Sequence, residues 1–150
     1  MREDIPLLGR WIARAFQQYW RVARGLHLFA EACVLDETGR VLMIGNENGG
    51  SWELPIGRVR KNETLEMAVR RLLRDASGIE VNGKPELAFF YACRKDRQTG
   101  VFTVRSWRKV SSDNSGEMRF FSPDSLPPGT VPGIAERIRR CLEDRTKSEV

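Results

Sequence analysis

Residues 57–79, GRVRKNETLEMAVRRLLRDASGI, constrain this chain more than any other stretch. They read as a turn followed by one strongly punctuated helix over 63–77. Asn62 is placed to cap the free amides of the first turn. Glu63 and Glu66 put negative charge where the helix dipole favours it. Gly78 supplies the left-handed stop. At 100° per residue, Leu65, Ala68, Val69, Leu72, Leu73 and Ala76 form one continuous apolar arc. Glu66, Arg70, Arg71, Arg74 and Ser77 lie outside it, and Asp75 sits at its border. Such a helix must bury that arc against something, so the remaining segments have to supply a partner surface.

They read as strands. Residues 26–35 are an apolar strand run, and 36–40 (DETGR) a turn in which Gly39 can take positive φ. Residues 41–44 return, so 26–44 read as a hairpin. A polar, glycine-bearing loop over 46–51 leads into Trp52-Glu53-Leu54-Pro55. Further strands are expected over 86–93, 101–110 and 117–121, with polar loops over 94–100 and 111–116. A closing helix over about 133–145 places Ile134, Ile138, Cys141 and Leu142 on one face. The N-terminal 5–24 carry Ile5, Leu8, Trp11, Ile12, Ala15, Tyr19, Val22 and Ala23 at three- and four-residue steps, with Arg10, Arg14, Arg21 and Arg24 mostly opposite. That is a basic amphipathic helix, suited to packing on its own domain, to homodimer formation or to contact with an anionic membrane surface.

At 150 residues the chain suits one domain, divided into this helix (1–25) and a body (26–150). Its 20 arginines against 5 lysines and net charge of +5 favour anionic partners, since the planar guanidinium fits phosphate. No nucleic-acid motif accompanies the charge. Three widely spaced cysteines (Cys33, Cys93, Cys141) show neither a CxxC nor a zinc spacing. They are expected to be reduced thiols in the cytoplasm. The single histidine, His27, cannot build a histidine metal cluster. No apolar run reaches the ~18 residues of a membrane span, and no signal peptide is expected.

The spacing Gly57, five residues, Glu63, seven residues, Arg71, then Leu73, Asp75, Gly78 and Ile79 resembles the Nudix box, Gly-x5-Glu-x7-Arg-Glu-U-x-Glu-Glu-x-Gly-U. Trp52-Glu53-Leu54-Pro55 resembles the usual entry into that box. Here Pro55-Ile56-Gly57 replaces Pro-Gly-Gly. Arg119-Phe120-Phe121 with Asp124-Ser125-Leu126-Pro127 is similar to the family's late strand and loop. The resemblance covers about 26–142. It implies an α/β Nudix fold, a mixed β-sheet sandwiched between α-helices, here with an extra N-terminal amphipathic helix. It also implies a relation to hydrolases of nucleoside diphosphate derivatives that use Mg²⁺ or Mn²⁺ and bind a small phosphorylated ligand.

The chain departs from that pattern where the chemistry sits. Positions 72, 75 and 76 share a helix face, and three acids there would concentrate charge for a metal ion that prefers oxygen ligands. Leu72 and Ala76 occupy two of these positions, and only Asp75 is acidic. Asp75 is either a weak metal ligand or a partner of Arg71, four residues earlier. Glu63 either assists a metal site or serves the helix start. By resemblance, Arg71 supports the box geometry, and Glu63, Arg71 and Asp75 are the catalytic candidates. Arg58 and Arg60 are either phosphate-binding or solvated loop residues. Glu53 and Glu117 are further acids, and Glu66 faces away from Asp75. Two outcomes follow: lost or very weak diphosphatase activity with at most a phosphate- or nucleotide-binding role and no cofactor, or an active pyrophosphohydrolase with a rearranged metal site. A scaffold or membrane-surface protein is the third reading.

Overall fold

A computed structural model describes residues 27–45, 50–110 and 117–148. The expected N-terminal helix lies outside the described residues. Among the described residues, nine strands and two helices follow in order: β1 (His27–Val34), β2 (Val41–Gly45), β3 (Trp52–Glu53), β4 (Ile56–Arg58), α1 (Leu65–Ser77), β5 (Ile79–Val81), β6 (Glu86–Arg94), β7 (Arg97–Val104), β8 (Trp107–Lys109), β9 (Glu117–Phe121) and α2 (Ile134–Ser148).

The main sheet has the order β4-β1-β7-β6, with β1 and β7 parallel and the other pairs antiparallel. A second sheet runs β3-β2-β9, and β5 pairs with β8. β1 explains why the sheet is mixed and central. Its side chains alternate between two apolar cores, because successive residues of a strand face opposite sides. Ala30, Ala32 and Val34 face α1, together with Ala68, Val69, Leu72 and Leu73. Cys33 and Leu35 face α2, together with Ile134, Ile138 and Cys141. The sheet is thus sandwiched between helices, and the body has the α/β architecture expected from the sequence.

Three local expectations are corrected. The turn after β1 forms, with the Asp36 carboxylate accepting from the amides of Thr38 and Arg40 at 2.9 Å each. It does not grow into a hairpin of β1 with β2: a single antiparallel bridge, Leu35↔Val41, joins the two arms, and β1 itself pairs with β4 and β7. β2 crosses to the second sheet and pairs with β9 over five residues, Val41↔Phe121 to Gly45↔Glu117. Next, 94–100 is no loop. A tight turn joins β6 directly to β7, which begins at Arg97, and the expected single strand over 101–110 divides at Ser106 into β7 and β8. Last, α1 begins two residues later than expected. Thr64, with extended backbone, is its N-cap, and its hydroxyl accepts from the Met67 amide at 3.1 Å. Asn62 instead takes a positive φ of 64° in the preceding turn, a conformation asparagine tolerates better than most residues. Gly78 stops the helix in the left-handed region, with φ 64°.

Candidate functional site

The box loop runs from the end of β4 to the start of α1, and one carboxylate organises it. Glu63 accepts both prongs of the Arg71 guanidinium, Nε at 2.8 Å and Nη2 at 3.0 Å, and also the Arg60 amide at 3.0 Å. Arg71 Nη2 donates onward to the Arg58 carbonyl at 2.9 Å. These bonds tie the loop to the second turn of the helix. Bonding to Arg71 holds the Glu63 carboxyl below its ordinary range, with the Arg60 amide assisting. In the same way, Glu63 raises Arg71. Arg71 therefore pairs with Glu63, not with Asp75. Asp75 acts on the guanidinium only through longer-range attraction.

The face carrying positions 72, 75 and 76 is divided. Leu72 is 5% exposed and packs in the core beside α1's other apolar residues. A Cβ placed on Gly57 would sit 3.5 Å from Leu72 Cβ and 3.7 Å from its Cδ2. Leucine thus fills the space directly under the box glycine. Asp75 and Ala76 are both exposed, so the expectation that Ala76 extends the buried stripe is corrected. The apolar arc ends at Leu73, yet the last turn of α1 stays seated through Ser77, which was expected outside the arc but is fully buried, so Arg74, Asp75 and Ala76 fall on its open side. Alanine at 76 leaves an open face without a carboxylate.

The other acids do not converge on Asp75. Glu53 is exposed on β3, opposite Ile44, which in turn is opposite Met118. Cross-strand neighbours share a face, and Ile44 and Met118 pack on α1's side. Glu53 therefore lies on the same side of its sheet as α1. Glu117 lines up with Gly45 and Trp52, and Trp52 packs on α2's side. Glu117 thus points to the opposite face and bonds Arg119 at 2.9 Å. Glu66 pairs with Arg70 at 3.2 Å. Among the described residues, no three acidic, histidine or cysteine side chains come together as a metal site. The described residues therefore offer no clustered set of carboxylates for a divalent metal.

Arg58 and Arg60 are both exposed in the box loop. Arg58 aligns with Phe29, on the α2 side of β1, and its guanidinium contacts the His27 ring. Arg70 and Arg74 brace the helix: Arg70 donates to the Val81 carbonyl at 3.1 Å, and Arg74 lies 3.4 Å from Glu80.

Sequence reasoning missed a second acid–arginine pair. Glu31 on β1 is 2% exposed and faces α2. Arg137, in the first turn of α2, donates to it from Nε at 2.7 Å and from Nη2 at 3.2 Å, and the Tyr91 hydroxyl donates at 3.3 Å. Burial raises the Glu31 carboxyl above its ordinary range, with Arg137 opposing the shift. The signal was present, since Glu31 interrupts the apolar run HLFAEACV, but its partner lies 106 residues away.

The sequence profile of the NUDIX domain matches residues 26–141. Solved structures agree on the fold. A MutT NUDIX hydrolase from Burkholderia pseudomallei is 23% identical, with a TM-score of 0.61 over 76% of this chain and 96% of its own. An ADP-ribose pyrophosphatase from Streptococcus suis is 22% identical, with a TM-score of 0.63 over 79% and 91% respectively. No curated protein sequence matches significantly. With the profile spanning most of its length, and with the sheet, box loop and helix arranged as described, the chain belongs to the Nudix family.

Proposed function

We propose that this Nudix-family protein has lost diphosphatase activity, or retains very little, and serves at most as a binding module for a phosphorylated ligand such as a nucleotide. Family enzymes generally use divalent cations, and diphosphate cleavage needs phosphate charge neutralised and a water activated. The observation that carries the reading is the seating of Leu72 beneath Gly57, with Ala76 beside Asp75 on the exposed helix face. One carboxylate remains where the box pattern has three. Glu63 is engaged by Arg71 and the Arg60 amide. Losing a general base alone costs about 10²–10⁴-fold in rate, and lost metal ligands add to that.

What this chain's residues supply instead is positive charge beside a rigid loop. Arg58 and Arg60 are the phosphate-binding candidates, held by the Glu63–Arg71 bonds. Guanidinium groups bind phosphate without a metal. The decisive experiment incubates the full chain with a panel of nucleoside diphosphate derivatives and Mg²⁺ or Mn²⁺. Expected are no metal-dependent turnover and, for at least one compound, binding that weakens in Arg58→Ala and Arg60→Ala. Robust turnover that disappears in Asp75→Ala overturns the proposal.

One observation favours a second reading, an active enzyme with a rearranged site. Glu53 is exposed on the side of its sheet that faces α1, and Asp75 is exposed on α1 itself. Activity that falls at least tenfold in both Glu53→Gln and Asp75→Asn would establish it.

A further inference from the structure

Two thiols meet on the α2 side of β1. Cys33 and Cys141 are free, 0% and 1% exposed, and belong to one core cluster. Their side chains share a hydrogen bond. That bond, together with burial, holds the Cys33 thiol well above its ordinary range. The contact follows from register. Arg137 and Cys141 are four residues apart on α2, a rise of ~6 Å. Glu31 and Cys33 are two residues apart on one face of β1, ~6.6 Å. Once Arg137 grips Glu31, the next turn of α2 sets Cys141 on Cys33. A single buried cysteine packs as a small hydrophobe. Two in contact, from elements more than 100 residues apart in sequence, are an oxidisable pair.

We propose that Cys33 and Cys141 form a redox latch: oxidation by a low-molecular-weight disulfide joins them and fixes α2 on β1. A thiolate of the pair attacks one sulfur of the small disulfide and expels the other as a thiolate. The partner thiol then gives up its proton and attacks the mixed disulfide, expelling the second small thiolate. One protein S–S bond forms, one small-molecule S–S bond breaks, and the two cysteine protons end on two small thiols. Sulfurs already in contact need little side-chain rotation to reach the ~2.05 Å of that bond. Neither sulfur is open to an oxidant while α2 is seated, so the reaction waits on local opening of the helix. The buried anchors of α2 are Ile134, Ile138 and Cys141 itself. Reduced, the helix can open and reseat; oxidised, it is tied to the strand. The latch does not depend on ligand binding at Arg58 and Arg60.

The test incubates the full chain in millimolar oxidised glutathione, blocks the remaining thiols with iodoacetamide in denaturant, and digests with trypsin. Expected is a monomer in which residues 25–40 are joined to 141–145 through Cys33 and Cys141, with the link released by dithiothreitol. The oxidised chain should unfold roughly 10 °C higher than the reduced one, since the bridge closes a long loop. Ile138→Val, which trims one buried methyl group, should speed bridge formation about fivefold by easing helix opening. Cysteines 33 and 141 left free or only glutathionylated, a bridge through Cys93, or a bridge between two copies overturns the proposal. So does an oxidised chain no more stable than the reduced one, because such a bridge distorts the seat of α2 and does not fix it. An unchanged rate in Ile138→Val removes the gating by helix opening and overturns the latch.

Discussion

Two acid–arginine pairs in this protein have nearly the same geometry and opposite character. Glu63–Arg71 and Glu31–Arg137 each join both carboxylate oxygens to Nε and Nη2 of one guanidinium. The first closes the box loop near the surface, with side chains 11% and 22% exposed. The second is enclosed between β1 and α2, with Glu31 at 3% and Arg137 at 16%. Bonding dominates at Glu63 and pulls its carboxyl down, while burial dominates at Glu31 and pushes its carboxyl up. The same fork does different work according to how much water it displaces. In the box it shapes a loop, and in the core it commits α2 to one position on the sheet.

The largest expected effect follows from breaking the buried pair. Arg137→Ala strands a carboxylate beside Tyr91 and should cost about 3–5 kcal/mol in urea unfolding. Replacing both partners, Glu31→Leu with Arg137→Leu, should recover most of that loss. If the double variant is as unstable as the single one, the pair is not the source of the effect. Next comes the box pair: Arg71→Ala should cost about 1.5–3 kcal/mol, as for hydrogen bonds to a charged group, and should loosen 58–63 in hydrogen exchange. A smaller change is Thr64→Ala, which removes the N-cap of α1 and should cost about 1 kcal/mol. Had Asn62 been the cap, Asn62→Ala would show that loss instead.

The subtlest separation is by pH. Glu63 has a lowered folded-state pKa, so its contribution to stability is present above the unfolded carboxyl pKa and is lost as pH falls through the folded value. Glu31 has a raised one, so its contribution is greatest below the unfolded pKa and is lost as pH rises through the folded value. Urea unfolding between pH 7 and pH 3 should therefore show Glu63→Gln losing less stability on acidification than the parent, and Glu31→Gln losing more. Shifts of the same sign in both variants would contradict the distinction.

Much of this was legible in the sequence, for local reasons. The box helix announces itself through an apolar arc at helical period and a glycine stop, and both are realised. Strand identity was readable from apolar runs, but strand pairing was not. β2 meets the first arm only at the Leu35↔Val41 bridge and goes on to pair with β9, and nothing local to 36–44 says so. Leu72 was recognisable as core because it stands amid the arc. Ala76 was not recognisable as exposed, because periodicity does not fix which side of the last turn meets the core, and there the buried residue is Ser77. The Glu31–Arg137 pair depends on contact between the first strand and the last helix, which only the assembled fold supplies.

The central claim is that Leu72 and Ala76 have removed the clustered metal site while the box frame persists. Calorimetric titration of Mn²⁺ into the parent chain and into the Leu72→Glu, Ala76→Glu double variant tests it directly. The account predicts no saturable site below millimolar in the parent and a gain of at least tenfold in affinity in the folded double variant. Tight binding of two or more ions by the parent, or no gain in a folded double variant, would contradict it.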